Sequence, residues 1–188
     1  GIKAEHAAVR ETAGLFDVSH MGEFIVRGPE ALGLIQRISV NDASIIEVGQ
    51  AQYSAMCLET GCVIDDLIIY RFPDRFMLVV NASNLAKDWA WVSKHANDFE
   101  VEITDVSDQT ALLALQGPCA REILRPLASL NVDEVKYYRF AEGEVAGVPA
   151  VISGTGYTGE DGFELYIPAE RAEELWTTLL DVGGELGL

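Results

Sequence analysis

Short apolar runs punctuated by glycine and proline organise this chain, and two of them are near copies. Glu23 to Arg27 reads as a strand ending in Gly28-Pro29, and Glu30 to Ile38 follows with helical spacing. Ala111 to Gln116 reads as the same kind of strand. It ends in Gly117-Pro118 and leads into a helix over Cys119 to Leu127. A proline in the first turn of a helix sacrifices no hydrogen bond, because that N–H has no partner there. The two glycines lie 89 residues apart.

The later part of each copy repeats as well. Arg75 to Asn81 reads as a strand feeding a helix over Leu85 to Ala96. Gly162 to Pro168 reads as a strand feeding a helix over Ala169 to Leu180. Between them lie hairpins, Ala51–Leu58 with Val63–Phe72 and Lys136–Ala146 with Pro149–Thr155. Strand, helix, hairpin, strand, helix, occurring twice, predicts an α+β fold with antiparallel sheets. The first repeat is expected over 1–105 and the second over 106–188. Ile2 to Arg10 reads as a further helix. The start at Gly1 and the stop just after Gly183-Gly184 both read as cuts through a longer protein.

Composition narrows the function. With 49% hydrophobic residues the chain can bury a substantial core. No apolar run approaches the ~20 residues of a membrane span. Thirty acids against thirteen bases give a net charge of −17, which would repel a phosphate backbone. Neither nucleic acid nor membrane is an expected partner. Cys57, Cys62 and Cys119 lack the spacing of a disulfide framework or a zinc site, so buried free thiols in a reducing compartment are the expectation, with no metal.

Candidate chemistry concentrates in two segments. In Thr60 to Arg71, Asp65 and Asp66 interrupt an apolar strand. Neighbouring strand residues point to opposite faces, so Asp66 belongs with Ile64, Ile68 and Tyr70, and Asp65 with Val63, Leu67 and Ile69. A carboxylate there needs a partner or a ligand; the plain alternative is capping of the Thr60-Gly61 turn. Gly154 to Glu164 holds four glycines and two acids before the strand, and no Lys or Arg, which favours a donor-rich or cationic ligand over an anion; the plain alternative is an ordinary long hairpin connection. Glu164 sits within the following apolar strand, where a carboxylate must find donors. Asp17, Ser19 and His20 are too close together on an extended segment to converge as a hydrolase triad.

Glu5-His6-x-Ala8-Val9-Arg10 and Ala13 to Gly22 resemble the opening of the glycine-cleavage T-protein family. Gly61-x-x-Ile64-Asp65-Asp66-Leu67, Leu115-Gln116-Gly117-Pro118 and Gly156-Tyr157-Thr158-Gly159-Glu160-Asp161-Gly162-x-Glu164 follow in that family's order. The resemblance covers nearly the whole chain. It implies two tandem ferredoxin-like repeats forming the aminomethyltransferase folate-binding fold. It also implies a reaction: the aminomethyl group on the dihydrolipoyl arm of the lipoylated H-protein gives its carbon to tetrahydrofolate, yielding 5,10-methylenetetrahydrofolate and ammonia. By the same resemblance Asp66 is the catalytic carboxylate, Glu164 holds the pterin, and Met21, Tyr53, Tyr70, Asn81 and Tyr157 surround the folate. The setting would be the cytoplasm of a bacterium or a mitochondrial matrix.

The chain departs from the family pattern at Cys62, where many relatives carry glycine. The family continues into an arginine-bearing segment and a C-terminal β-barrel domain, so for this chain alone the expectation is weak folate binding without catalysis. The alternatives are a folate module of a dimethylglycine or sarcosine dehydrogenase or oxidase, and a non-catalytic folate-binding protein of iron–sulfur cluster assembly. The latter tends to carry a cysteine in the loop where this chain reads Thr155-Gly156-Tyr157-Thr158-Gly159.

Overall fold

The computed structural model describes every residue, 1–188, and is α+β. Helix α1 (Ile2–Glu11) and strands β1 (Gly14–Asp17) and β2 (Gly22–Arg27) precede helix α2 (Ala31–Ile38). Strands β3 (Gln50–Cys57), β4 (Val63–Arg71) and β5 (Phe76–Val80) then lead to helix α3 (Leu85–Ala96) and strand β6 (Glu102–Asp105). Strand β7 (Thr110–Gln116), helix α4 (Ala120–Leu124), strands β8 (Phe140–Val145), β9 (Val148–Ser153) and β10 (Gly162–Pro168), and helix α5 (Ala172–Gly183) complete the order. No helix is long and apolar enough to cross a membrane.

Two compact units result: an inserted unit, His20–Asp108, and a split unit, Gly1–Ser19 with Gln109–Leu188. Each holds one antiparallel five-stranded sheet of the same order, β3-β4-β5-β2-β6 in the first and β8-β9-β10-β7-β1 in the second. The four strands β4-β5-β2-β6, with α2 and α3 in the connections, are a ferredoxin-like skeleton to which β3 adds an edge.

The duplication extends further than the sequence reading carried it, and its edge strands are exchanged. Asp105 and Ser107 lie 88 positions after Asp17 and Ser19 and make the same turn. Each serine donates its N–H (3.0 Å) and its hydroxyl (2.6 and 2.5 Å) to the aspartate two residues before it. Each serine oxygen then accepts a strand N–H, from Leu112 to Ser19 at 3.1 Å and from Glu23 to Ser107 at 3.0 Å. Yet β1 pairs with β7, and β6 pairs with β2. The segment before Ser19, grouped with the first repeat in chain order, therefore completes the sheet of the second. Ser19 is a capping residue.

Both cores follow from binary patterning. In α2, Ala31, Leu34, Ile35 and Ile38 form one buried stripe against Phe24, Val26, Leu67, Ile69 and Leu78. Leu34 and Ile35 are wholly buried, worth about 1.5–3 kcal/mol each. Leu113, Leu115, Phe163, Leu165, Leu175 and Leu179 play these parts in the split unit.

Three local expectations change. Pro29 and Pro118 stand in tight turns before the helices, closed from Ala31 N to Gly28 O (3.2 Å) and Ala120 N to Gly117 O (3.0 Å). The helix expected over Cys119–Leu127 is regular only over Ala120–Leu124. The thiols are not buried: Cys62 is exposed and Cys57 and Cys119 are half-buried.

Gly28 and Gly117 are required at those turns. Their φ values are +123° and +130°, and a Cβ on Gly117 would meet Thr12 O at 2.7 Å and Ala13 Cα at 2.8 Å. Backbone atoms cannot step aside. Gly117→Ala is expected to lower unfolding free energy by about 3 kcal/mol or more. Gly61→Ala, with φ +84° and nothing within 4 Å of the added methyl, should cost only about 1–2 kcal/mol. Urea denaturation of both variants checks the contrast.

Candidate functional site

Strand β4 places Leu67 and Ile69 in the core beneath the helices, so Asp65 points that way and Asp66 shares the opposite face with Ile68 and Tyr70. The turn before it is closed by backbone bonds from Leu58 N to Cys62 O and from Gly61 N to Leu58 O, each 2.8 Å, so neither aspartate caps it. Instead Asp66 Oδ2 accepts the Tyr53 hydroxyl at 2.8 Å, and Oδ1 accepts Asn81 Nδ2 at 2.8 Å. The same amide nitrogen reaches Asp65 Oδ1 at 3.1 Å and the Asp66 carbonyl at 3.3 Å. The structure thus joins Tyr53, Asp66 and Asn81 from three neighbouring strand positions.

The sheet register sets the rest. Val80 lies opposite both Leu67 and Gly22, so Asp66, Asn81 and Met21 stand at the same end of β4, β5 and β2. Met21 is half-buried there, Tyr53 is half-exposed, and Tyr70 is completely buried four residues along from Asp66.

In the split unit Glu164 lies in the middle of the sheet, opposite Ala114 of β7 and Ser153 of β9. It is buried. Thr155 Oγ1 donates to it at 2.5 Å and stands 2.9 Å from Ser153 Oγ. Burial raises the Glu164 pKa, and the Thr155 hydrogen bond opposes that rise only in part. No arginine or lysine pairs with it. A buried carboxylate with lone pairs to spare is an acceptor for a ligand rich in N–H groups.

The loop before β10 is held by side chains from outside it. Gln116 donates from Nε2 to Thr155 O (3.1 Å) and Phe163 O (3.2 Å), and its Oε1 accepts the Thr158 hydroxyl at 2.8 Å. Arg10 of α1 donates to Thr158 O at 2.6 Å and Glu160 Oε1 at 2.7 Å. Arg121 takes Asp161 bidentately, at 3.0 Å for both bonds. The loop lacks cations of its own, but both its acids meet imported arginines. Tyr157 stands 72% exposed beside this fastening.

Two acids escaped the sequence reading. Asp88 of α3 is completely buried against Asp65. Burial first, and then Asp65, push its pKa up to about 7. Asp65 itself, although burial raises it, is held below its ordinary value by hydrogen bonds from Asp88, Asn81, Asn84 and the Asp66 backbone. The second is Glu23, buried on β2, with no hydrogen-bond partner at either oxygen. Its signal was the one used for Glu164, an acid within an apolar strand. Asp88 gave none, since an acid in the first turn of a helix is ordinary.

The family described as GCVT N-terminal domain matches residues 1–188. A protein named aminomethyltransferase from Halalkalibacterium halodurans is 55% identical over the whole chain, which spans only 52% of that relative's length. The crystal structure of glycine cleavage system aminomethyltransferase T from Bartonella henselae superposes with a TM-score of 0.88 at 38% identity, covering 96% of this chain and 48% of that one. A chain of the heterotetrameric sarcosine oxidase from Corynebacterium sp. U-96 shares the fold, with a TM-score of 0.69 at 19% identity, covering 99% and 92%.

Burial, and then the charge of Asp105, push the Glu23 pKa up to about 8, far above its ordinary 4.5. The folded state therefore keeps a proton that the unfolded chain releases, so stability falls as pH rises from about 4.5 to about 8 and levels off beyond. Ionising Glu23 in place costs on the order of 5 kcal/mol. Thermal denaturation should show a lower melting temperature at pH 9 than at pH 6, with Glu23→Gln removing much of the difference.

Proposed function

Because the chain belongs to the GCVT N-terminal domain family, we propose that it is the folate-binding part of a glycine-cleavage aminomethyltransferase. The reaction takes the aminomethyl group from the dihydrolipoyl arm of the lipoylated H-protein and passes its carbon to tetrahydrofolate, with release of ammonia. The observation that carries this reading is the Asp66 carboxylate, fixed by Tyr53 and Asn81 at the end of a buried strand.

The residues fit such a ligand. An ionised carboxylate has about four acceptor sites. Asp66 uses one on each oxygen for Tyr53 and Asn81, leaving others for an amine N–H or a migrating proton. Glu164, buried with one hydroxyl donor and no cation, suits the donor-rich edge of a pterin. Tetrahydrofolate supplies the amine nitrogens that receive the carbon. Tyr53 and Asn81 hold the Asp66 carboxylate in one orientation, and Asp66 orients the amine and carries the proton that departs with ammonia. A placed acid–base group of this kind is worth roughly 10²- to 10⁴-fold. Met21 stands at the same end of the sheet as a soft contact for a flat ring, and Tyr157 offers an exposed aromatic face. Tyr70 lies on the Asp66 face of β4 but is fully buried, so it has no surface open to the ligand in this structure.

Calorimetric titration with 5-methyltetrahydrofolate tests the binding roles. Glu164→Gln should weaken binding about tenfold or more, and Asp66→Asn should leave it within a few-fold. In the full-length enzyme with aminomethylated H-protein, Asp66→Asn should lower kcat by roughly 100-fold or more. Undiminished turnover in that variant would remove Asp66 from the mechanism.

A further inference from the structure

Behind Asp66 lies a second pair of carboxyl groups that the proposed chemistry does not use. Asp65 Oδ2 and both oxygens of Asp88 are buried and meet no N–H or O–H of another residue. Lys87, beside Asp88 on α3, reaches the Ile64 carbonyl, beside Asp65 on β4, at 2.6 Å, so the helix lies over this part of the strand and the two buried carboxyl groups act on each other. Two carboxylates pressed together away from water repel strongly unless one keeps its proton and donates it to the other. Asn81 lies on the far side of Asp65. Its amide nitrogen has two hydrogens and two carboxylate neighbours, Asp65 Oδ1 at 3.1 Å and Asp66 Oδ1 at 2.8 Å. The result is a chain running Asp88, Asp65, Asn81, Asp66.

We infer that Asp88 is a positioning residue: protonated, it donates to Asp65, and the pair locks the Asn81 amide that orients the Asp66 carboxylate. The charged groups acting on Asp88 are Asp65 and Asp66 from β4 and Lys87 from its own helix. Lys87 donates to Ile64 O at 2.6 Å and is the only cation among them. Loss of the proton from Asp88 sets two anions side by side. Asp65 is then driven away from Asp88, the Asn81 amide turns with it, and Asp66 loses its fixed orientation. The effect on turnover rests on the function proposed above; the shared proton and the lock on Asn81 do not.

Carboxyl ¹³C and side-chain amide ¹⁵N–¹H resonances of this chain, followed from pH 4 to 9, test the pair directly. One aspartate should titrate near neutrality, the Asn81 NH₂ signals should move with the same midpoint, and both transitions should vanish in Asp88→Asn. Asp65→Asn should move the Asp88 midpoint down by at least one pH unit. An Asp88 midpoint in the ordinary carboxylate range, or Asn81 signals that ignore it, overturns the inference. In the full-length enzyme, Asp88→Asn keeps a donor and should hold kcat within about threefold at pH 7 while abolishing the fall in kcat that follows the Asp88 midpoint. Asp88→Leu should lower kcat at least tenfold with little change in KM. If Asp88→Leu leaves kcat intact, the positioning role is wrong. If the unaltered enzyme transfers no aminomethyl group while the resonances behave as expected, it is the proposed function that fails.

Discussion

Everything in this fold hangs on two edge strands lying against the wrong neighbours in sequence. Strand β1 completes the sheet that begins at β7, and β6 completes the sheet that contains β2. Each exchange is secured by an Asp-x-Ser turn whose serine caps a strand N–H, and by a glycine corner that lets another backbone approach closely. No side chain fits at Gly28 or Gly117, since the atoms in the way are carbonyl oxygens and Cα atoms that neither rotate nor retreat. Each sheet therefore gains its edge only through a pairing of residues far apart in the chain.

That constraint also fixes where acids can be buried. Glu23 lies on β2 between β5 and β6, and Glu164 on β10 between β7 and β9, so neither can swing toward water. A strand in mid-sheet leaves its side chain only the space above or below. The molecule meets the cost differently at each site. Glu164 receives a threonine hydroxyl, Asp66 receives a tyrosine and an asparagine, Asp65 and Asp88 lean on each other, and Glu23 stays neutral. An acidic protein of net charge −17 thus keeps its least ordinary acids inside, while most of the others face solvent or arginines.

Much of this was legible in the residues. From Asp65 onward the alternation of β4 sends Asp65 and Asp66 to opposite faces, because the side-chain period of a strand is two; before it the register slips, and Ile64, expected beside Asp66, packs against the core of Leu67 and Ile69 instead. The Gly-Pro devices announced the duplication, and Glu164 within an apolar run announced a buried carboxylate. The family was legible for a related reason: its signature segments are local, contiguous and in order. Asp88 was not legible. Its burial depends on α3 lying over β4 next to Asp65, twenty-three residues away, and nothing in the helix's own pattern distinguishes it from a solvated acid.

What the sequence determined by itself, then, was whatever neighbouring residues settle among themselves: strand faces, helix stripes, turn chemistry and the repeat. What only the tertiary structure decided was which strand takes which edge, which arginine reaches the glycine loop from the far end of the chain, and which buried carboxyls meet. Periodicity is a property of a short segment, readable from its order. The pairing of edges and the sharing of a proton arise from atoms brought together across the chain, where burial and electrostatics act on distance in space.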